Sequence, residues 1–589
     1  MVRSPLVLLL AFSALAADPR PLAPQLAAPG STEGPVTEED STRLVAAARR
    51  DQASFERFRR NRLPDTWGGG SSRCDERIGR FCLTHGTGQN DWVAPAEDEE
   101  IVANRSRLID GLGQVAERIP GDVWSAGQHV RYLVEARRFD EALAAAERCA
   151  GERWWCAALR GYAFHYLARP IAADTAFDEA LAAMDEEQRE EWLDLTLILD
   201  HRSARVYRRF EEEEQDAFEE RFWRLADPSF TRPGNELRSE HFSRHVMNEF
   251  QYRAQSPDGI SWGYDLREIL IRYGWPAGWE RTRSTGMTMG PAPLVSHYNS
   301  APRHFLPPPE VLLGESGTTA DWGEEVPGAR TGYSIPLEDT IAKWFSPLAH
   351  QFAVFRRGDS ALVVGAYDLP EDSIADGSQV TAGLAVLATT DSDVPPVVTT
   401  DEEAGLTQAL MAEVPAEPSV MSLEIVVPAE HRMARAEYGI ELAPAEPGLI
   451  SVSDLLLVRG AEAGLPDSLS TAIETARGST EVRSGEQVGI FWEIYGLDAE
   501  RAPEVGMSLR LLESRTGWLR RLAERAGILR EVMPVRLRWQ EPVTSGPFMP
   551  RSLDVEIPEL NPGSYTLELT VEASGREPLS VRREIEVVP

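Results

Sequence analysis

The spacing of apolar residues changes character once along this chain, and the change falls at Trp262–Gly274. Upstream, apolar residues recur at helical intervals; from Phe345 onward they alternate with polar ones, the period of half-buried strands. A chain patterned this way needs at least two cores, one under a helical front and one under a β-rich rear, with the stretch between acting as the join. Inside the join, Ile269-Leu270-Ile271 is an unbroken apolar run closed by Tyr273-Gly274 and Trp275-Pro276. That pattern predicts a short buried strand over 266–273, with Asp265 shaping its entry turn.

Length sets the number of units: 589 residues leave room for about three to five domains. Arg3, the apolar run Leu6 to Leu15 and the small residues Ala14-Leu15-Ala16 predict an export signal over residues 1–16, too short for a permanent membrane span. Residues 17–40, rich in Pro, Ala and Gly, predict a flexible leader. Residues 41–120 predict a helical region carrying one cysteine pair, broken at Leu63-Pro64, with Trp67-Gly68-Gly69-Gly70-Ser71-Ser72 as a loop. In 121–200, Phe139–Ala146 and Ala173–Leu181 resemble the second helices of tetratricopeptide-type pairs, with Ala142, Ala146, Gly161, Ala173 and Ala180 small enough for close helix approach. Two such units are too few to stand alone, so helices before Pro120 and after Glu190 are expected to complete the core.

Residues 291–344 form a Pro/Gly-rich connector, including Pro307-Pro308-Pro309. Residues 345–465 predict a first β-sandwich: a hairpin over 352–364, then strands over 383–388, 420–427, 434–442 and 449–457. Residues 475–589 predict a second, in which Leu560-Asn561-Pro562-Gly563-Ser564-Tyr565 and the alternation after it resemble late strands of immunoglobulin-like and macroglobulin-like sandwiches. Arg515–Arg538 holds seven arginines against Glu524 and Glu531, with Trp518, Leu519, Leu522, Ala526 and Leu529 on one helical face. It predicts an inserted helix that either covers its own sandwich or meets a membrane surface or a partner.

Charge removes one class of partner. With 94 acidic against 60 basic side chains the net charge is −34, which is wrong for gripping a phosphate backbone. Lys343 is the only lysine and has no Gly-rich loop before it, so a Walker-type role has no candidate. The four cysteines form two close pairs, Cys74 with Cys82 and Cys149 with Cys156, an arrangement that fits two disulfides in an oxidising compartment. A metal site from Cys74, Cys82 and His85 is the alternative.

The region around Tyr207–Glu280 carries a series of spaced elements: Phe222-Trp223, Asp227-Pro228, Asn235-Glu236, a helical stretch over 237–253, Trp262, Asp265, and then Arg272-Tyr273-Gly274 with Pro276. This order resembles the GWxTD-domain family of secreted bacterial proteins. Ser261 and Tyr264 depart from the motif, standing where the family has glycine and threonine. The resemblance implies that residues 201–290 form a GWxTD-like domain in an exported protein; it implies no activity.

Candidates for chemistry are few. His241 and His245, four apart on one helical face, could ligate a metal, but Phe242 follows where a metalloprotease has glutamate. Asp265 and Glu268 invite an acid–base pair; an Asp265–Arg272 ion pair that fixes the turn is the structural alternative. The resulting expectation is a multi-domain α+β protein: an exported cell-envelope scaffold that binds protein partners, with no catalytic, cofactor or metal residues of its own. The competing expectations are an envelope hydrolase or carbohydrate-active protein using Asp265, Glu268, Arg272 and Tyr273, and a peripheral membrane adaptor working through Arg515–Arg538.

Overall fold

The structure is a computed structural model that describes residues 37–66, 74, 76–83, 94–282, 294–298, 306–314, 343–344, 348–375, 377–389, 394–430, 432–442, 449–460, 464–498, 503–513, 535–544 and 546–589. The export signal, the leader up to residue 36, the 67–72 loop, His85, most of the connector and the basic stretch up to residue 534 lie outside the described residues.

Among the described residues, eleven helices build the front half: α1 (Glu38–Arg62), α2 (Glu99–Arg118), α3 (Val123–Glu135), α4 (Phe139–Glu147), α5 (Arg153–Tyr166), α6 (Pro170–Ala183), α7 (Glu186–Leu193), α8 (His201–Tyr207), α9 (Glu212–Leu225), α10 (Glu236–Phe250) and α11 (Tyr264–Tyr273). Asp98, Asp122, Asp185, Asp200 and Asn235 cap α2, α3, α7, α8 and α10 by accepting first-turn N–H bonds, each contributing roughly 1 kcal/mol. The turns after α3 and α5 are copies of one another. Arg137 and Ala168 both take left-handed backbone, and Arg138 and Arg169 donate their N–H to Leu133 and Phe164 across the helix end. This is the paired hydrogen-bond closure of a Schellman motif, used twice.

Fully buried Ala142, Ala146, Ala173 and Ala180 let these helices approach closely, and Gly161 leaves room for the Phe177 ring, which a Cβ would meet at 2.8 Å. Helices α2 and α10 do complete this core: Ile101, Leu108, Phe242 and Val246 join Trp155, Tyr162 and Phe177 in one cluster. Helix α10 lies across α3, α5 and α6 and is buried along nearly its whole length.

The strand expected at Leu266–Tyr273 is a helix instead, α11. Leu266, Ile269, Leu270 and Tyr273 form an i, i+3, i+4, i+7 stripe, while Ile271 packs into a second cluster with Phe222 and Leu312. A helix clamped from two sides reads as a continuous apolar run, which is why periodicity alone misassigned it. Gly274, at φ 77°, ends the helix and returns its N–H to the Leu270 carbonyl.

In the rear half, a five-stranded sheet runs in the order Val397–Asp401, Thr381–Ala388, Ser419–Val427, Arg432–Ile440, Lys343–Trp344. A three-stranded sheet runs Thr407–Pro415, Ser360–Asp368, Ala349–Arg357. Both contribute to one core that includes Val354, Val363, Leu384 and Leu423. The strands over 397–401 and 407–415 were not anticipated; Val397, Val398 and Met411 are exposed on them and weaken the alternation.

The second strand-rich unit is built on Gln487–Tyr495, flanked by Leu456–Arg459 and Phe548–Glu556, with a five-stranded sheet in the order Glu481–Arg483, Leu579–Val588, Gly563–Ala573, Glu504–Glu513, Val535–Pro542. The strand expected at 449–457 as part of the first unit is a correction. It is broken at Ser453, and both halves pair with Gln487–Tyr495 of the second. Phe355 and Phe491 share a further cluster with Leu456 and Val458, and Arg357 forks onto buried Glu493 at 2.6 and 2.8 Å, so the two units meet through a packed and charged face. Both cysteine pairs are disulfides, which removes the Cys74–Cys82–His85 metal alternative. Among the described residues no helix is long and apolar enough to cross a membrane.

Candidate functional site

The residues marked out in the centre gather around α11, and their partners come from a segment nearly two hundred positions earlier. Cys74 and Cys82 close a short hairpin whose strands are Glu76–Ile78 and Phe81–Leu83. Its turn, at Gly79 (φ 50°), lies against the first turn of α11 so closely that a Cβ there would sit 2.5 Å from the Asp265 Cβ. Asp265 accepts from Arg80 through Nε at 2.6 Å, Nη2 at 2.8 Å and the backbone N–H at 3.2 Å, and from the Leu266 amide at 2.9 Å. The Arg80 guanidinium is the main reason its carboxyl is held down to about 2.

One helix face further on, buried Arg272 donates to Glu76 at 2.6 and 3.2 Å and to Glu268 at 3.3 Å. The Tyr273 hydroxyl donates to the same Glu76 at 2.5 Å; burial and that carboxylate push its phenol well above the usual range. Ile78 packs on Ile269 and Tyr273.

The expected Asp265–Arg272 pair is therefore not formed. Seven residues along a helix separate the two by about 10 Å, and each finds its counter-ion on the hairpin instead. Asp265 and Glu268 serve different arginines and do not act as a carboxylate pair. Trp262 anchors the approach to α11 by donating Nε1–H to the Asn248 side chain at 2.9 Å. Arg244 caps the far end through the carbonyls of Ile271 and Arg272, and a Cβ on Gly274 would meet its guanidinium at 3.1 Å. Pro276 sits in the turn between α11 and the strand Gly278–Thr282.

His241 and His245 are buried in α10, rings 4.8 Å apart, against Trp223 and Trp192 respectively. Burial lowers His241 to about 3 and His245 well below its ordinary value, so both are neutral packing groups. Among the described residues no cluster of three or more His, Cys, Asp or Glu could hold a metal ion.

No motif points to His165, whose Nδ1 lies 2.9 Å from the Ser239 hydroxyl and whose Nε2 lies 2.7 Å from Glu240, itself paired with Arg244 at 2.7 Å. A hydroxyl, an imidazole and a carboxylate in line are the parts of a nucleophile relay. Here Ser239 is fully buried and donates to the Glu236 carbonyl, so the row ties α5 to α10 beneath the surface. Its members lie 74 residues apart in sequence, too far for any spacing rule to have found them.

The remaining motif residues lie around the start of α10, and Asp227 among them meets the sheet of the rear half through its carbonyl. Asn235 caps α10 while its Nδ2 donates to the Trp223 carbonyl at 2.6 Å and its backbone N–H to Asp174 at 3.1 Å. Asp227 accepts from the Ser229 amide, and Pro228 sets the bend that follows α9. Burial, then the charge of Glu236, push the Asp227 carboxyl well above its ordinary range; burial pushes Glu236 up to about 7.

The segment after Pro228 is caught by one side chain of the sheet. Glu424, 1% exposed, accepts from the Ser229 hydroxyl (2.7 Å), the Phe230 amide (2.8 Å), the Thr231 amide (3.2 Å) and hydroxyl (2.5 Å), and Ser422 (2.9 Å). Arg435 adds a bond to the Asp227 carbonyl at 2.6 Å and lies over the Phe230 ring. Leu225, Phe230 and Val311 pack on Ala385, Leu387 and Val420 beside it. No protein-family model matches the chain, and no curated protein matches it either.

Proposed function

We propose that this chain is an exported scaffold of the cell envelope, a protein that binds other proteins and performs no chemistry at its centre. In this reading α3–α6 are tetratricopeptide-like pairs, residues 201–290 a GWxTD-like domain, and the two strand-rich units β-sandwiches. The last of these is supported by the Tyr565 hydroxyl, which donates to the Asn561 carbonyl at 3.0 Å in the manner of a tyrosine corner. The observation that carries the proposal is the fate of Asp265, Glu268, Arg272 and Tyr273, whose polar atoms converge on hairpin and helix partners rather than on an open cavity.

The face of α3 and α5 that such repeats offer to a ligand is covered by α10, through Gln128 on the Phe250 carbonyl, Trp155 and Tyr162 on Phe250, and His165 on Glu240. Partner binding is therefore assigned to the outward surfaces of the helices. The test is crosslinking of the full-length chain in native envelopes, set beside turnover assays on glycan, ester and peptide substrates. Protein adducts without turnover are expected; turnover abolished by His165→Ala or Asp265→Asn in a folded protein overturns the proposal.

A further inference from the structure

The two disulfides stand in different physical settings. Cys149 follows α4 and Cys156, 7% exposed, sits in the first turn of α5, next to core residues Trp155 and Ala157. Cys74 and Cys82 are both exposed, and the hairpin they close has only three residues in each strand, too few to persist unaided. What holds it down is the clasp on α11: Arg80 on Asp265, Glu76 on Arg272 and Tyr273, and Ile78 on Ile269. Arg77 stands directly across the ladder from Cys82, a cation beside the sulfur that would leave as thiolate.

We propose that Cys74–Cys82 is a site of thiol–disulfide exchange, opened by a dithiol in the folded chain, and that its opening undocks the hairpin from α11 while Cys149–Cys156 stays closed. One thiolate of the reductant attacks a sulfur of the bridge, forming a mixed disulfide and releasing one protein thiolate. The reductant's second thiol then attacks its own sulfur in that mixed disulfide and releases the other. Two electrons and two protons pass to the protein, and the dithiol becomes a disulfide. The consequence is mechanical: without its covalent tie the hairpin must reclose against a larger entropy for each docking event, so Arg80 and Glu76 spend less time on Asp265 and Arg272.

The experiment uses the full chain under non-denaturing conditions with dithiothreitol, thiol alkylation read by mass spectrometry, and hydrogen exchange. Cys74 and Cys82 are expected to be labelled at least about tenfold faster than Cys149 and Cys156. Exchange should rise over 76–83 and 264–273 and stay unchanged over 139–166. Asp265→Asn, which loosens the clasp without touching either sulfur, should speed opening of Cys74–Cys82 about two- to fivefold and leave the other bridge alone. Equal rates for the two bridges, opening without any change in α11 exchange, or an Asp265→Asn protein that opens at the unmodified rate each overturn the proposal.

Discussion

Glu424 and Asp265 are both single carboxylates that fasten one part of this molecule to another, and they differ in the solvation of what they hold: the donors on Glu424 are interior, whereas the Arg80 side chain on Asp265 is 49% exposed. Glu424 lies in the interior between the helical half and the first strand-rich unit, and five donors from two segments point at it. Asp265 holds the hairpin at an accessible corner, through an arginine whose side chain is half in solvent. Removing an acceptor from a dry site strands its donors, whereas at a wet site water replaces it. The first joint is thus built to stay shut and the second can open.

That contrast can be broken most directly at Glu424. Glu424→Ala is expected to lower stability by about 3–5 kcal/mol, read as a drop in the urea midpoint, with Glu424→Gln losing roughly half as much because one acceptor oxygen remains. A loss no larger than that of a surface substitution would show the joint to be wet.

Next in size is Gly383→Ala. Its Cβ would sit 2.5 Å from Thr231 Cγ2, where the turn between α9 and α10 touches the sheet, and the expected loss is roughly 1–3 kcal/mol. Thr231→Ser removes that methyl while keeping the hydroxyl for Glu424, and should recover most of the loss in the double variant.

A pH scan sharpens the comparison further. Glu236 is raised to about 7, so the folded state holds its proton more tightly than the unfolded chain. Its stability contribution is complete below the unfolded value near 4.3 and is lost as pH rises through 7, amounting to roughly 3–4 kcal/mol. Glu236→Gln should reduce the slope of stability against pH in that window by about one proton. Asp265 has the opposite sign: held at about 2 by Arg80, its contribution is present above the unfolded carboxylate range and disappears as pH falls through 2. The smallest effect is expected from Asp265→Asn at neutral pH. Hydrogen exchange should quicken over Glu76–Leu83 while the global urea midpoint barely moves.

Much of this architecture was legible residue by residue. Alanines at Ala142, Ala146, Ala173 and Ala180 announced close-packed helix pairs, cysteine proximity announced both bridges, and the alternation after Phe345 announced sheets. Local patterns carry such information because helix faces, short covalent loops and strand pleats are set by neighbours in sequence. The errors came where burial on two sides hid the period, as at Ile269-Leu270-Ile271, or where exposure diluted it, as at Val397-Val398. Pairing also reassigned the strand at Leu456–Arg459, because hydrogen-bond partners are chosen across the fold and leave no mark on the strand itself.

The sequence by itself determined that helices precede strands, that two cysteine pairs close locally, and that the net charge is −34. Tertiary structure alone decided who meets whom: Asp265 with Arg80, Arg272 with Glu76, Ser239 with His165, Glu424 with Ser229 and Thr231. Charge attraction and hydrogen bonding depend on separation in space, and a chain of this length offers each carboxylate dozens of arginines at equal sequence cost. Only the packing of apolar faces brings one of them within reach.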